Sequence, residues 1–126
     1  MFYYLFNCIV STSFLEYGIH YMYHKLNIDM HLAHHKDYQN NTIEFEYYFI
    51  PISLLFYYYE YYILTFGSIK YLILHTMIHN KPEYLPSYIV NHHISHHSKY
   101  PNNNFSVSLP FIDTLFDTRY IEKNNI

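Results

Sequence analysis

Residues 20–35 read HYMYHKLNIDMHLAHH, and five of these sixteen residues are histidines. The histidines are spaced first as i, i+4 and then as i, i+3, i+4: His20, His24, His31, His34 and His35. Residues three and four positions apart lie on one face of an α-helix, so each set is expected to point its imidazoles in a common direction. This stretch therefore predicts helices that bring a cluster of histidines together.

The same pattern occurs a second time, as HTMIH at residues 75–79 and HISHH at residues 93–97, with His92 beside the last box. Ten of the eleven histidines thus form two matched sets, each an HxxxH box followed by an HxxHH box. Neutral imidazole is a ligand suited to iron, copper, nickel and zinc. At about four to six ligands per ion, ten imidazoles favour two metal ions close together. The ligand set would be histidine only, unlike that of carboxylate-bridged helical bundles.

Composition limits the class of protein. The 126 residues are expected to form one domain, residues 1–126, with 13% charged and 22% aromatic residues. Soluble domains are about a quarter charged. Two glycines exclude a Gly-rich phosphate loop, and a net charge of −3 without a basic stripe argues against a nucleic-acid partner. Cys8 is the single cysteine, so no intrachain disulfide or cysteine-based zinc motif is expected.

Two apolar stretches, residues 2–23 and 45–66, predict membrane helices, since a spanning helix needs roughly 20 residues. The first lacks a basic region and a cleavage site, so it is predicted to be a retained helix rather than a signal peptide. Residues 69–79 are too short to cross a bilayer alone. Either His75 and His79 lie partly within the membrane, or the two segments form a shallow hairpin. Basic residues near the histidines place these groups on the cytoplasmic side and the N-terminus on the far side.

Local signals divide the rest of the chain. Asn40-Asn41 predicts a loop within residues 37–42, and Gly67-Ser68 predicts a turn. A helix is expected over residues 87–97, Pro110 is a candidate helix start, and residues 122–126 are expected to be frayed. The predicted fold is all-α, a small membrane-embedded helical bundle with a histidine-lined dimetal site at the cytosolic ends of its helices.

The order HxxxH, HxxHH, HxxxH and HxxHH, with an apolar segment between the second and third boxes, resembles the fatty acid hydroxylase/sterol desaturase superfamily. The last box, NHHISHH at residues 91–97, is similar to the HHxxHH form of that family. NFSVSLPFIDTLFDT at residues 104–118 resembles its closing stretch. The likeness covers roughly residues 16–120, and the series of boxes is its most specific part.

The resemblance implies an integral membrane enzyme with a cytosol-facing di-iron cage, in the endoplasmic reticulum if the host is eukaryotic. Such enzymes use O2 and two electrons, commonly from cytochrome b5 or a similar donor, to hydroxylate or desaturate a lipid C–H bond. Fatty acids and sterols are the expected substrates. Two iron ions would be bound, with zinc as a substitute, and no catalytic side chain is expected beyond the ligands. The implied iron ligands are His20, His24, His31, His34, His35, His75, His79, His93, His96 and His97.

Two further residues have alternative interpretations. Asp113 matches the aspartate of the family's closing stretch and would orient a ligand imidazole through its free N–H, or else it is a helix-terminal charge. His92 would be a ligand, a neighbour of the ligands or a substrate-facing residue. The chain departs from the family where Ser106 and Asp117 replace the usual glycines and Ile112 replaces the usual Trp.

Other functions remain open at this stage. A non-catalytic histidine-rich membrane protein could bind zinc or another divalent ion for storage, transport or structure. A degenerate family member could keep the cage and serve as a scaffold or partner subunit. A zinc hydrolase is disfavoured because the chain has no HExxH motif and its boxes contain no glutamate to act as general base.

Overall fold

Six α-helices make up most of the residues described by the computed structural model, which are residues 2–38 and 47–121. A 3-10 turn, Pro82–Tyr84, separates the fourth helix from the fifth. The helices are α1 Phe2–Lys25, α2 Asp29–Lys36, α3 Phe49–Tyr58, α4 Tyr62–Asn80, α5 Ser87–Ser98 and α6 Phe111–Leu115. These ranges contain no strand, which confirms the all-α prediction for them. Two predictions fall outside the described residues. They are the part of the predicted loop at 37–42 that follows residue 38, and the predicted frayed end at 122–126.

The turn between α1 and α2 folds the first two histidine boxes against each other. Asn27 has a φ of 51°, the left-handed conformation that often ends a helix. The Ile28 N–H donates to the Tyr23 carbonyl at 3.0 Å, and the Asn27 N–H donates to the His24 carbonyl at 3.2 Å. This pair of bonds is a Schellman motif, which satisfies carbonyls that a helix end leaves open. The chain reverses within a few residues, so α2 lies beside the end of α1.

The predicted span over residues 45–66 is wrong as a single helix. Helix α3 ends at Tyr58, and Glu60 takes a φ of 62° before α4 begins at Tyr62. The Tyr61 N–H donates to the Phe56 carbonyl at 2.8 Å, which closes a second Schellman motif. Helices α3 and α4 form a hairpin. A hydrogen bond of 2.7 Å between the Ser53 and Ser68 hydroxyls connects the two helices.

The predicted turn at Gly67-Ser68 is also wrong, because both residues lie inside α4. Gly67 has a packing role instead. A Cβ at this position would lie 2.9 Å from the Thr12 Cγ2, so the missing side chain lets α1 and α4 approach closely. At Gly18, in contrast, an added Cβ would have nothing within 4 Å.

In the part of the chain that is described, no helix is both long and apolar enough to cross a membrane. The structure therefore does not support the two predicted spans. Helix α1 has 24 residues but buries the polar side chains of Thr12, Ser13 and Glu16. Helix α3 has only 10 residues, about 15 Å of helix.

Two small apolar clusters flank the histidines. Tyr71, Ile78, Ile89 and Val107 form one, and Tyr17, Phe105 and Ile112 form the other. Between them the interior is mostly polar, because Glu16, Asp113 and eight of the eleven histidines are buried. The buried histidines are His20, His31, His34, His75, His92, His93, His96 and His97. A core of this composition requires that its polar groups find partners.

Candidate metal centre

Five imidazoles from α1, α2 and α5 converge on one point. Four of the histidines form a ring in which the Nε2 atoms of neighbouring residues lie 2.9–3.1 Å apart. In order around the ring they are His24, His31, His20 and His96. The His35 Nε2 lies 3.1 Å from the His31 Nε2. One nitrogen from each ring lies within 4.8 Å of the others in this first histidine group: His20, His24, His31, His35 and His96.

A second set of imidazoles comes from α2, α4 and α5. One nitrogen each from His34, His75, His79 and His97 lies within 4.8 Å of the others. His93 joins them, since its Nε2 lies 2.9 Å from the His97 Nε2 and 3.3 Å from the His79 Nε2. We call these five residues the second histidine group. The two groups touch where the ring centroids of His35 and His97 lie 4.3 Å apart.

The HxxHH boxes divide between the groups. His31 and His35 belong to the first group, whereas His34 belongs to the second. In the last box His96 belongs to the first group and His97 to the second. Residues i and i+4 lie close to one line along a helix, while i+3 lies on the other side of that line. The HxxxH pairs point in a common direction as predicted, but the prediction was wrong for the HxxHH triplets, which connect the two groups.

The spacing of the nitrogens suits metal ligands. With metal–nitrogen bonds of about 2.1 Å, ligands 90° apart have nitrogens about 3.0 Å apart, and tetrahedral ligands about 3.4 Å apart. The first group has neighbouring separations of 2.9–3.1 Å. These distances fit adjacent ligands of a five- or six-coordinate ion.

Backbone carbonyls decide which nitrogen of two rings carries the proton. The His20 Nδ1 lies 2.5 Å from the Phe105 carbonyl oxygen, and the His96 Nδ1 lies 2.5 Å from the Asn103 carbonyl oxygen. A carbonyl only accepts, so each Nδ1 donates its proton and each Nε2 keeps a lone pair. The two Nε2 atoms lie 3.1 Å apart. Two facing lone pairs repel each other unless a cation lies between them, and this site fits a metal ion.

Burial keeps the imidazoles neutral, which is the form that binds a metal. Burial and then the neighbouring His24 lower the pKa of His20 to about 3, and burial lowers the pKa of His24 to about 4. In the second group, burial and then His34 lower the pKa of His79 to about 4. The pKa of His75 lies well below its usual value for the same two reasons, burial and then the neighbouring His79.

Asp113 is buried and affects the candidate ligands indirectly, through the backbone of residues 105 and 106. Its Oδ1 accepts the Phe105 N–H at 2.8 Å, and its Oδ2 accepts the Ser106 N–H at 2.9 Å and the Ser106 hydroxyl. It therefore holds the residue whose carbonyl orients His20. Burial alone would raise the pKa of Asp113, but hydrogen bonds from His92, Ser106 and Thr118 outweigh it and hold this pKa below its usual value.

His92 lies outside both histidine groups. Its Nε2 lies 3.0 Å from the Asp113 Oδ2, and its side chain is buried. Asp117, at one of the positions where the family has glycine, has a φ of 54°. The Thr118 N–H donates to the Asp113 carbonyl at 2.8 Å. The chain thus keeps the left-handed turn after α6 without the residue that adopts it most readily.

Sequence reasoning missed Glu16, which lies within the apolar stretch at residues 2–23. Its buried Oε1 accepts the backbone N–H groups of Val107 and Ser108, both at 2.8 Å. The Lys70 Nζ lies 3.3 Å from its Oε2. The available signal was the spacing, because Glu16 lies one helical turn before His20 and so on the same face.

An apolar cavity of about 100 Å³ lies between α1, α3 and α4 and reaches the His20 side chain. Glu16, Thr12 and Gly67 also lie on its wall. Most of its lining is apolar or aromatic: Leu15, Ile19, Phe49, Phe56, Leu64 and Tyr71.

The sequence was compared with the models of known protein families. The sequence model of the fatty acid hydroxylase family matches residues 5–118, a range that includes all ten box histidines together with Glu16 and Asp113. No curated protein and no solved structure matches the chain.

Proposed function

Because the chain belongs to the fatty acid hydroxylase family, we propose that it is a membrane-associated oxidoreductase that hydroxylates or desaturates a lipid of fatty acid or sterol type. Family membership by itself indicates a lipid-modifying oxidase. The observation that carries the finer proposal is the pair of histidine groups, each with five imidazoles. We assign one iron ion to each group, with zinc as a substitute that would bind the same nitrogens.

The proposed reaction balances with one O2, two electrons and two protons. Bound iron would supply the activation of O2 that an unactivated C–H bond requires. In hydroxylation one oxygen atom enters the lipid and the other leaves as water; in desaturation both leave as water and the lipid loses two hydrogens. The electrons would come from cytochrome b5 or a similar donor protein.

This chain's own residues would orient the ligands and exclude water. The Phe105 and Asn103 carbonyls hold His20 and His96 in the tautomer that offers Nε2 to a metal. The cavity beside His20 has a mainly apolar wall, so it favours a hydrocarbon chain over water. A lipid in this cavity would place its reacting carbon next to the first histidine group.

The end of the bundle opposite the histidines supports a membrane location. Helices α1 and α4 carry their box histidines at their C-terminal ends, so their N-terminal ends lie at the opposite end of the bundle. Large side chains near that end are 60% or more exposed: Phe2, Tyr3, Tyr4, Phe6, Leu54, Tyr57, Tyr58 and Tyr59. Aromatic residues are enriched where proteins meet the membrane–water interface. We place this end in the bilayer interface, with the histidines on the cytoplasmic side.

The decisive experiment uses oxygen gas enriched in the heavy isotope. Protein loaded with ferrous iron without air would be mixed with a reductant, a panel of fatty acids and sterols, and the labelled gas. We expect one labelled oxygen atom in a lipid product, or a new double bond, by mass spectrometry. A His34→Ala variant should lose this product. Iron-loaded protein that changes no lipid would contradict the oxygenase proposal, and a zinc content that no added iron replaces would favour a metal-binding protein without catalytic activity.

A further inference from the structure

One loop controls the orientation of two imidazoles in the first histidine group. Residues 103–108 present the Asn103 carbonyl to the His96 Nδ1 and the Phe105 carbonyl to the His20 Nδ1. A shift of this loop by a few tenths of an ångström would lengthen both hydrogen bonds. The tautomers of His20 and His96 therefore depend on what holds the loop in place.

Two buried carboxylates hold the loop by four consecutive backbone N–H groups. Asp113 accepts those of residues 105 and 106, and Glu16 accepts those of residues 107 and 108. Asp113 follows the loop closely in sequence, whereas Glu16 belongs to α1, the helix that carries His20. Helix α1 thus supplies both a histidine of the group and the carboxylate that fixes the hydrogen-bond acceptor of that histidine.

Lys70 neutralises Glu16 from the opposite helix. Its Nζ lies 3.3 Å from the Glu16 Oε2, and it donates to the Ser13 hydroxyl at 2.7 Å and the Ser108 hydroxyl at 3.0 Å. The Ser108 hydroxyl in turn lies 2.8 Å from the Glu16 Oε2. A buried carboxylate is costly unless it is paired with an opposite charge and hydrogen-bonded. Lys70 supplies that charge beside the Glu16 oxygens, which accept the hydrogen bonds of the loop.

We propose that Glu16, supported by Lys70, is a positioning residue for the first histidine group. It acts through the loop at residues 103–108, which fixes the Nδ1 protons of His20 and His96. This inference rests on the proposed metal centre and predicts that only one of the two histidine groups depends on Glu16. Loss of the Glu16 charge should weaken metal binding by the first group and leave the second group unchanged.

The test measures cobalt binding to one group at a time. A His75→Ala background disables the second group, and a His31→Ala background disables the first. Glu16→Gln would be added to each, and apo protein would be titrated with Co²⁺ and followed by its visible absorption. We expect roughly a 10–100-fold weaker affinity in the His75→Ala background, the range found when partners of metal ligands are removed. Less than a threefold change is expected in the His31→Ala background.

Two variants control for charge and for folding. Glu60→Gln makes the same change at an exposed residue in the α3–α4 turn and should alter neither affinity. Ser108→Ala is milder, because it removes one hydroxyl, which bonds to Glu16, Lys70 and Ser13, and leaves the Glu16 carboxylate in place. It should lower the affinity of the first group about three- to tenfold, and it tests the same contact if Glu16→Gln does not fold.

Nitrogen NMR of the imidazoles gives a readout that a purely structural role would not change. In folded apo protein, His20 and His96 should show protonated Nδ1 and unprotonated Nε2, and Glu16→Gln should mix the two tautomers. Equal affinity losses in both backgrounds, or unchanged tautomers, would overturn the positioning role. If neither background binds Co²⁺ before Glu16 is changed, the proposed metal centre itself fails and this inference fails with it.

Discussion

The two histidine groups contain the same residue type but are held in different ways. The first takes four of its five histidines from residues 20–35, and backbone carbonyls orient two of its rings. The second takes its histidines from residues 34–97, and two of its rings stack on tyrosines. Tyr71 stacks on His75 and Tyr38 stacks on His97, each with 5.2 Å between ring centroids.

This difference shows that hydrogen bonding and packing can do the same task in one small core. The Nδ1 atoms of His93 and His97 are buried with no hydrogen-bond partner in residues 2–38 and 47–121. Ring contacts, rather than backbone carbonyls, therefore hold these two imidazoles, as they also hold the His35 ring of the first group. The first group should respond to changes in the loop that holds it, and the second to changes in its aromatic neighbours.

The largest effects should come from the ligands themselves. His31→Ala removes the histidine whose Nε2 lies within 3.1 Å of three other Nε2 atoms of the first group. His75→Ala removes a fully buried member of the second group. Each variant should retain about one of two irons per chain, and the double variant none, by elemental analysis. If either single variant lost both ions, the two groups could not be treated as separate sites.

Asp113→Asn should have the next largest effect, and only on the first group. The amide would keep one acceptor oxygen and put its N–H donors either against the Phe105 N–H or against the N–H and hydroxyl of Ser106. We expect Co²⁺ affinity to fall roughly 10–100-fold in a His75→Ala background. The His31→Ala background serves as the comparison, and an equal loss there would show that Asp113 acts on the whole fold.

Acid should destabilise the metal-free protein through both groups together. His24 in the first group and His79 in the second have pKa values lowered to about 4, while an unfolded histidine titrates near 6.5. Below pH 6.5 the unfolded chain therefore binds more protons than the folded one, so the free energy of unfolding falls as the pH drops from about 6.5 toward 4. Urea unfolding at a series of pH values measures this. If the free energy of unfolding instead rose as the pH dropped, the conclusion that these imidazoles are buried and neutral would be wrong.

A smaller effect is expected from the aromatic contact of the second group. Tyr71→Leu removes the ring that stacks on His75, and aromatic pairs contribute about 0.5–1.5 kcal/mol. Co²⁺ affinity in a His31→Ala background should fall by about two- to tenfold. Tyr71→Phe keeps the ring and should bind as before. If Tyr71→Leu lowered the affinity only in the His75→Ala background, which reports on the first group, the conclusion that Tyr71 holds the second group would be wrong.

The smallest effect should be a gain in stability from Asp117→Gly. Asp117 has a φ of 54°, a conformation that glycine adopts without steric cost. We expect the free energy of unfolding to rise by about 0.5–1 kcal/mol, with no change in metal affinity of the second group. Ser106 is a control position at which glycine should not help, because its hydroxyl donates to Asp113. Thermal unfolding of the two variants provides the measurement.

Periodic patterns predicted much of this molecule. The helix over residues 87–97 was expected, and α5 covers Ser87–Ser98. Pro110 directly precedes α6, as predicted. The chain also belongs to the family that its boxes resemble. Side chains repeated at helical spacing specify both a helix and the face on which they gather, so these features can be read from local sequence.

The remaining features depend on contacts that periodicity does not show. The break near Glu60 follows three tyrosines and contains no glycine or proline, so no usual turn residue marks it. Gly67 resembles a turn residue but serves the contact with Thr12 across two helices. The role of Glu16 depends on hydrogen bonds from residues 107 and 108, which lie more than ninety positions away in the chain. Local sequence around Glu16 does not show these contacts.

That distance along the chain has a consequence for biosynthesis. His20 precedes its carbonyl partner Phe105 by 85 residues. At synthesis rates of about 5–20 residues per second, roughly 4–17 seconds separate the two residues on the ribosome. During that interval the histidines of residues 20–35 lack the loop that sets their tautomers. An ion bound by the first group should therefore enter after translation of the loop, so the proposed metal loading would be a maturation step rather than part of chain synthesis.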